Sequence, residues 1–128
     1  MAPGFYDSLE LEEALEDETF RAISSDPGSL LDLPVKAMEE LRLRFGRPPL
    51  ERIGLLANER VRREVDGWTL DVDRILFPDG SESYELEIET DRAELARRWV
   101  DAEIRGRGLR LEPQRLTKLE QLLERGRP

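Results

Sequence analysis

The chain has 128 residues, of which 29 are acidic and 20 basic, giving a formal net charge of −9, and it contains neither cysteine nor histidine. These two absences exclude disulfides, thiol nucleophiles, imidazole bases and soft zinc sites, so any metal ion would be held by oxygen. The acidic balance argues against nucleic acid or an anionic membrane as a partner. No apolar run approaches the length of a membrane-spanning helix, and the acidic start does not resemble a signal peptide, so we expect a cytoplasmic protein.

The N-terminal third predicts one strand and two helical segments. Residues 5–15 alternate apolar and polar side chains, which is the period of a half-buried strand. Residues 17–24 predict a short helical turn, broken by the Asp-Pro-Gly-Ser sequence that follows. From Pro34 the apolar residues recur every three to four positions, which predicts a helix that ends at Gly46.

The middle of the chain predicts three consecutive antiparallel strands. Residues 50–77 alternate with period two and are divided by Asp66-Gly67, a strong hairpin signal. Residues 83–89 alternate without exception after the Pro-Asp-Gly turn. Trp68 on the second strand and Trp99 further along fall on apolar faces, so both are predicted to lie in the core.

The lengths of the two turns fix which side chains face each other on this predicted sheet. A two-residue loop pairs Val65 with Trp68, and a three-residue loop with glycine in the left-handed position pairs Phe77 with Ser81. The pairs predicted on the charged side are Arg60 with Asp73, Arg62 with Asp71, Asp73 with Glu85 and Asp71 with Glu87.

The C-terminal third predicts two more helices. An Asp-x-x-Glu pattern at residues 91–94 indicates the start of a helix that ends at Gly106, and residues 109–111 indicate a short strand. A Thr-x-x-Glu pattern at residues 117–120 predicts a capping box at the start of the last helix.

Carboxylates that face each other across the second and third strands need a counter-charge, because like charges directly opposite destabilise a sheet. A hard divalent cation held by Asp73, Glu85 and Glu87 would supply it, and the neighbouring Arg60 and Arg62 would then hold the anionic groups of a ligand. The alternative is an ordinary solvated sheet face, on which acids alternate with cross-strand arginines. Lys118 likewise either offers its ammonium group to an anion or is a surface lysine.

Five short segments together resemble the CYTH family, also called triphosphate tunnel metalloenzymes, which includes thiamine triphosphatase, class IV adenylate cyclase and inorganic triphosphatases. The resemblance rests on the order and spacing of the segments. They are Leu-Glu-Leu-Glu at 9–12, Asn-Glu-Arg-Val-Arg at 58–62, Leu-Asp-Val-Asp at 70–73 with Phe-Pro-Asp-Gly at 77–80, Tyr-Glu-Leu-Glu-Ile-Glu at 84–89 and Thr-Lys-Leu at 117–119.

The resemblance implies an α+β fold in which the antiparallel meander forms part of a tunnel-like β-barrel with helices packed outside it. It implies metal-dependent hydrolysis of a small triphosphate-containing molecule, with Mg²⁺ or Mn²⁺ as cofactor. The implied site consists of Glu85 and Glu87 as catalytic and metal-binding residues, Asp73 as a further metal ligand, Arg60, Arg62 and Lys118 as triphosphate-binding residues, and Glu10, Glu12, Asp71 and Glu89 as possible tunnel acids.

The chain departs from the family pattern at its N-terminus. The family's first strand, Glu-x-Glu-x-Lys, and the basic strands after it would precede Glu10, where this sequence has nine residues. We therefore expect residues 1–128 to form a single but incomplete domain, as a fragment or a remnant. Its open strand edges favour association, either with a second copy as a homodimer or with the missing N-terminal segment. The alternative functions are a non-catalytic triphosphate- or metal-binding module and an oligomerising half-barrel.

Overall fold

The computed structural model describes residues 4–125. The described chain divides into two compact units, which we describe separately. One is Asp7–Ile53. The other contains the residues up to Tyr6 together with those from Gly54 onwards, and it holds the sheet and the C-terminal helices.

The first unit is helical. Helix α1 (Asp17–Ser25) confirms the predicted helical turn, and after the break at Asp26 a 3-10 helix (Pro27–Asp32) leads to α2 (Lys36–Phe45). α2 ends as predicted at Gly46, whose φ of 69° favours glycine.

The strand predicted for residues 5–15 is wrong, since residues 5–16 have no regular secondary structure. The alternating pattern describes a segment that could lie on a sheet, but no strand in the described residues pairs with it, and Leu9 is 85% exposed. Leu11 and Leu15 instead contribute to a shallow apolar cavity of about 270 Å³, which Met38 of α2 also lines.

The predicted three-strand meander is confirmed. Strands β1 (Ala57–Val65), β2 (Trp68–Leu76) and β3 (Glu82–Glu87) form one antiparallel sheet in the order β1-β2-β3. The alternating pattern starts at residue 50, but β1 begins seven residues later, because residues 50–56 adopt no regular secondary structure.

Both turns of the meander have the predicted lengths. Asp66 and Gly67 have φ values of 52° and 81°, the left-handed pair that a type I′ hairpin requires. In the second turn the Phe77 N–H donates to the Ser81 carbonyl at 2.9 Å, and Gly80 has φ of 83°. The three-residue loop and its glycine are therefore confirmed.

Each side of the sheet is covered by a different helix. On one side, Trp68 and Leu70 pack with Ala96 of α3 (Ala93–Trp99), and Trp99 joins this cluster, so both tryptophans lie in or against the core as predicted. On the other side, residues of β2 and the loop after it contact α4 (Lys118–Arg125), as described below.

Two details around α3 differ from prediction. The helix begins at Ala93, within the segment predicted to start it, but no side chain caps it, and Glu94 pairs with Arg97 at 3.4 Å. The helix continues through π-helical (Val100–Ile104) and 3-10 (Arg105–Arg107) turns, so it ends two residues later than the predicted stop, at Gly108 with φ of 83°.

The short strand predicted at residues 109–111 is also wrong, because this segment has no regular secondary structure and joins no sheet. The described residues therefore form an α+β arrangement whose single sheet has three strands and is open rather than closed into a barrel. Among these residues, no helix is both long and apolar enough to cross a membrane.

Candidate functional site

The charged side of the sheet has the register that the turns predict. Each of the four expected pairs is observed as directly opposite residues. We call this surface the charged face; its members are Arg60, Arg62, Asp71, Asp73, Glu85, Glu87 and, from α4, Lys118.

Asp73 lies at the centre of the charged face and is completely buried. The guanidinium of Arg60 donates to both of its carboxylate oxygens, at 2.6 and 2.8 Å, and the Lys118 ammonium donates to one of them at 2.9 Å. The hydrogen bond from Arg60 lowers the pKa of Asp73 far below its ordinary value; Lys118 lowers it further, and together they outweigh the opposing effect of burial. Asp73 is therefore held as a carboxylate.

Arg60 joins the two rows of the charged face. Besides Asp73, its guanidinium contacts Asp71 at 3.2 Å and Glu87 at 3.5 Å. The Arg62 guanidinium also donates to both carboxylate oxygens of Asp71, at 2.6 and 2.8 Å. The hydrogen bond from Arg62 lowers the pKa of Asp71, and the hydrogen bond to Asp73 raises the pKa of Arg60.

Lys118 resolves the contact between like charges that the register creates. Its ammonium lies 2.9 Å from Asp73 and 3.1 Å from Glu85, directly between two carboxylates that face each other across β2 and β3. Burial lowers the pKa of Lys118, but the hydrogen bonds to these carboxylates raise it more, and the net shift is upward. An ammonium group of the protein therefore supplies a counter-charge for these two facing carboxylates.

The first turn of α4 is fixed by the capping box that the sequence predicts. The Thr117 hydroxyl accepts from the Glu120 N–H at 3.2 Å, and the Glu120 carboxylate accepts from the Thr117 N–H at 2.7 Å. These bonds set where the helix begins, and Lys118 is its first residue. The backbone hydrogen bond from Thr117 lowers the pKa of Glu120, so the cap is ionised at neutral pH.

The rest of α4 is anchored on the same side of the sheet. Leu122 is buried and approaches Gly54 closely enough that a methyl group there would lie 3.2 Å from it. The Arg125 guanidinium lies 4.5 Å from the ring centroid of Phe77, a cation–π contact. These contacts fix the middle and the C-terminal end of the helix that carries Lys118.

Gln121 is the member of the site that the sequence analysis missed. Its amide donates to Glu85 at 3.1 Å and to the Leu116 carbonyl at 3.1 Å. The available signal is its spacing: Gln121 follows Lys118 by three positions, so the two side chains share one side of the helix.

Three of the four predicted tunnel acids are not among the members of the charged face. Glu89 follows the end of β3, and Glu10 and Glu12 belong to the other compact unit, where they lie in the segment without regular secondary structure. Only Asp71 of the four joins the charged face.

The donor chemistry of the charged face suits a hard cation such as Mg²⁺ or Mn²⁺, because Asp73, Glu85 and Glu87 offer only carboxylate oxygens. The arrangement is not that of a ready metal site: within residues 4–125, no three such groups converge so as to hold a metal ion. Arg60 and Lys118 already engage Asp73, so a metal ion would have to replace one of these contacts.

No protein-family model matches the sequence, and no curated protein matches it. The resemblance to the CYTH family therefore stays a prediction carried by the residues themselves.

Proposed function

We propose that the charged face binds the triphosphate group of a small molecule together with Mg²⁺ or Mn²⁺, and that the protein hydrolyses a phosphoric anhydride bond of this ligand. The observation that carries the proposal is the meeting of Arg60 and Lys118, from separate parts of the chain, at one buried carboxylate, Asp73. Guanidinium and ammonium groups bind phosphate oxygens with the same geometry that they use for carboxylates.

The existing ion pairs imply that metal and triphosphate bind cooperatively. A triphosphate that took Arg60 or Lys118 would leave Asp73 buried with fewer counter-charges, and breaking a buried ion pair costs about 3–5 kcal/mol. A metal ion alone at Asp73 and Glu85 would displace Lys118 and leave that ammonium without a partner. Bound together, the two ligands satisfy both the displaced cations and the displaced carboxylates, so each is expected to tighten the binding of the other.

The residues of the charged face have distinct roles in this proposal. Asp73, Glu85 and Glu87 would hold the metal, which when bound supplies Lewis-acid polarisation of a phosphoryl oxygen. Arg60, Arg62 and Lys118 offset the charge of the phosphate chain, and Glu85 and Glu87 orient the attacking water. Because the whole protein is negatively charged, these cations must act at short range, where screening is weakest.

A second candidate is a non-catalytic triphosphate-binding module. It is favoured by the fact that both oxygens of Asp73 are already bonded to cations of the protein, which makes the charged face self-compensating without a metal. The two functions share the binding step and differ only in turnover.

The test is phosphate release from inorganic triphosphate and from nucleoside triphosphates with Mg²⁺ or Mn²⁺. We expect the wild type to release phosphate and a chelator to abolish the release. Glu87→Gln should reduce the rate about 100-fold, and it should keep the fold, because Glu87 is half exposed and has only a 3.5 Å contact with Arg60. Lys118→Met should weaken triphosphate binding, whereas Lys36→Met, at the only other lysine and exposed on α2, should not.

Thermal unfolding separates the remaining outcomes. A metal-dependent rise in the melting temperature with triphosphate, but no phosphate release, would establish the binding module and overturn catalysis. No rise with any combination of metal and triphosphate would show that the charged face is a solvated, self-paired surface, and both proposals would be abandoned.

A further inference from the structure

Strand β1 forms a free edge of the sheet. All nine of its residues are exposed, and among the described residues it pairs only with β2. A free strand edge presents a row of unpaired N–H and C=O groups, which is a template for another strand.

The hairpin determines which backbone groups of β1 point to this edge. Val65 and Trp68 flank a two-residue turn and therefore form a hydrogen-bonded pair, after which bonded and non-bonded pairs alternate. The odd-numbered residues of β1 thus bond to β2, and residues 58, 60, 62 and 64 direct their N–H and C=O groups outwards.

The sequence of β1 is complementary to itself in one antiparallel register. When a second copy pairs around a two-fold axis at Val61, residues 60 and 62 exchange backbone hydrogen bonds, in agreement with the outward groups. Val61 then faces itself, Ala57 faces Val65, and Glu59 faces Arg63, with each opposite-charge pair occurring twice. These are the non-bonded pairs, whose side chains approach most closely.

The neighbouring registers lack this complementarity. A shift by two residues in one direction places Glu59 opposite Val65 and Val61 opposite Arg63; a shift in the other direction places Glu59 opposite Val61. Both shifts put a charge against an apolar side chain, which the central register avoids.

The like-charge pair in the central register is Arg60 with Arg62 of the second copy, and by symmetry it also occurs twice. Each guanidinium is already bonded to an aspartate of its own chain, Arg60 to Asp73 and Arg62 to Asp71. These residues also form hydrogen-bonded pairs, in which side chains are farther apart, with Cα atoms separated by about 5.5 Å. Their repulsion is therefore offset.

We propose that two copies of this chain associate through the β1 edges, in the register centred on Val61, to form a continuous six-stranded antiparallel sheet. Its apolar side would join the exposed side chains of Val61, Val65 and Val72, which are 49%, 39% and 42% exposed in the single chain. The charged faces of the two copies would lie together on the other side of this sheet, away from the valines.

Single-cysteine variants test the register directly, because the chain has no cysteine of its own. In the proposed dimer two Val61 Cα atoms lie about 4.5 Å apart, within disulfide range, whereas two Arg63 Cα atoms lie about 13 Å apart. We expect Val61→Cys to form a disulfide-linked dimer under mild oxidation. Glu59→Cys and Arg63→Cys should each form none alone, and an equimolar mixture of these two should form a mixed disulfide.

Sedimentation equilibrium of the wild type supplies an independent readout, in which a reversible monomer–dimer equilibrium is expected. The proposal is overturned if the wild type stays monomeric at every concentration tested, or if Val61→Cys cross-links no faster than Arg63→Cys. Dimerisation without cross-linking at position 61, with circular dichroism showing the fold intact, would also overturn it, because another surface would then form the dimer.

Discussion

Asp73 is the residue on which the charged face depends. It is fully buried, and three hydrogen bonds from two cations compensate its charge. Removing one partner lowers the free energy of unfolding by more than the intact pair contributes to it. The reason is that the remaining charge has lost its partner but is still partly shielded from water.

We therefore expect Asp73→Asn to lower the free energy of unfolding by about 1–3 kcal/mol. This is less than for a fully buried pair, since the side chains of Arg60 and Lys118 are 37% and 28% exposed and can reach water. Urea denaturation measures the effect, with Asp91→Asn, at an exposed aspartate of the same unit, as the matched control. Equal midpoints for the two variants would show that the ion pairs at Asp73 make no net contribution.

The sequence predicted half of the environment of Asp73. The contact with Arg60 follows from a two-residue turn, which fixes register by local geometry. The contact with Lys118 joins residues 45 positions apart and depends on where α4 packs. No local pattern encodes that packing, so Lys118 was recognised as a member of the site but its position between two carboxylates was not predicted.

Helix α4 positions Lys118, and its start is determined by the Thr117–Glu120 capping box. The helix has eight residues, too few to be stable by itself, so it depends on this cap and on the burial of Leu122, which lies close to Gly54. Fraying of its first turn would withdraw the ammonium from Asp73 and Glu85.

Thr117→Ala should destabilise the unit by about 1 kcal/mol, the typical cost of losing an N-cap side chain. Thr117→Ser keeps the hydroxyl and should behave like the wild type. Hydrogen exchange should show faster exchange at the first turn of α4 in the alanine variant alone. Unchanged exchange there would mean that packing, rather than the cap, fixes the start of the helix.

Periodicity predicted the strands that have partners and failed for those that lack them. Residues 8–12 alternate as the β3 segment does, yet only β3 pairs, because a strand requires a neighbour that the segment's own sequence does not specify. The end at Gly108 rather than Gly106 was not predictable in the same way, because either glycine can end a helix and the sequence pattern does not distinguish them.

The net charge of −9 belongs to the entire chain, and the ion pairs of the charged face act against the repulsion that it creates. Four carboxylates there, Asp71, Asp73, Glu85 and Glu87, face the three cations Arg60, Arg62 and Lys118, so the face itself carries a charge of 3 − 4 = −1. Most of the excess acidity therefore lies elsewhere in the chain.

Stability is expected to fall in acid and to stay level near neutral pH. The pKa of Asp73 is lower in the folded chain than its unfolded value of about 3.9. Between the folded and the unfolded pKa of Asp73, the unfolded state binds more protons than the folded state. The stabilisation due to ionised Asp73 is therefore complete above about pH 5 and is lost as the pH falls towards the folded pKa. Asp71, whose pKa is also lowered, acts in the same direction. Melting temperatures measured from pH 7 down to pH 3 should decline less steeply for Asp73→Asn than for the wild type, and parallel curves would show that other carboxylates govern acid unfolding.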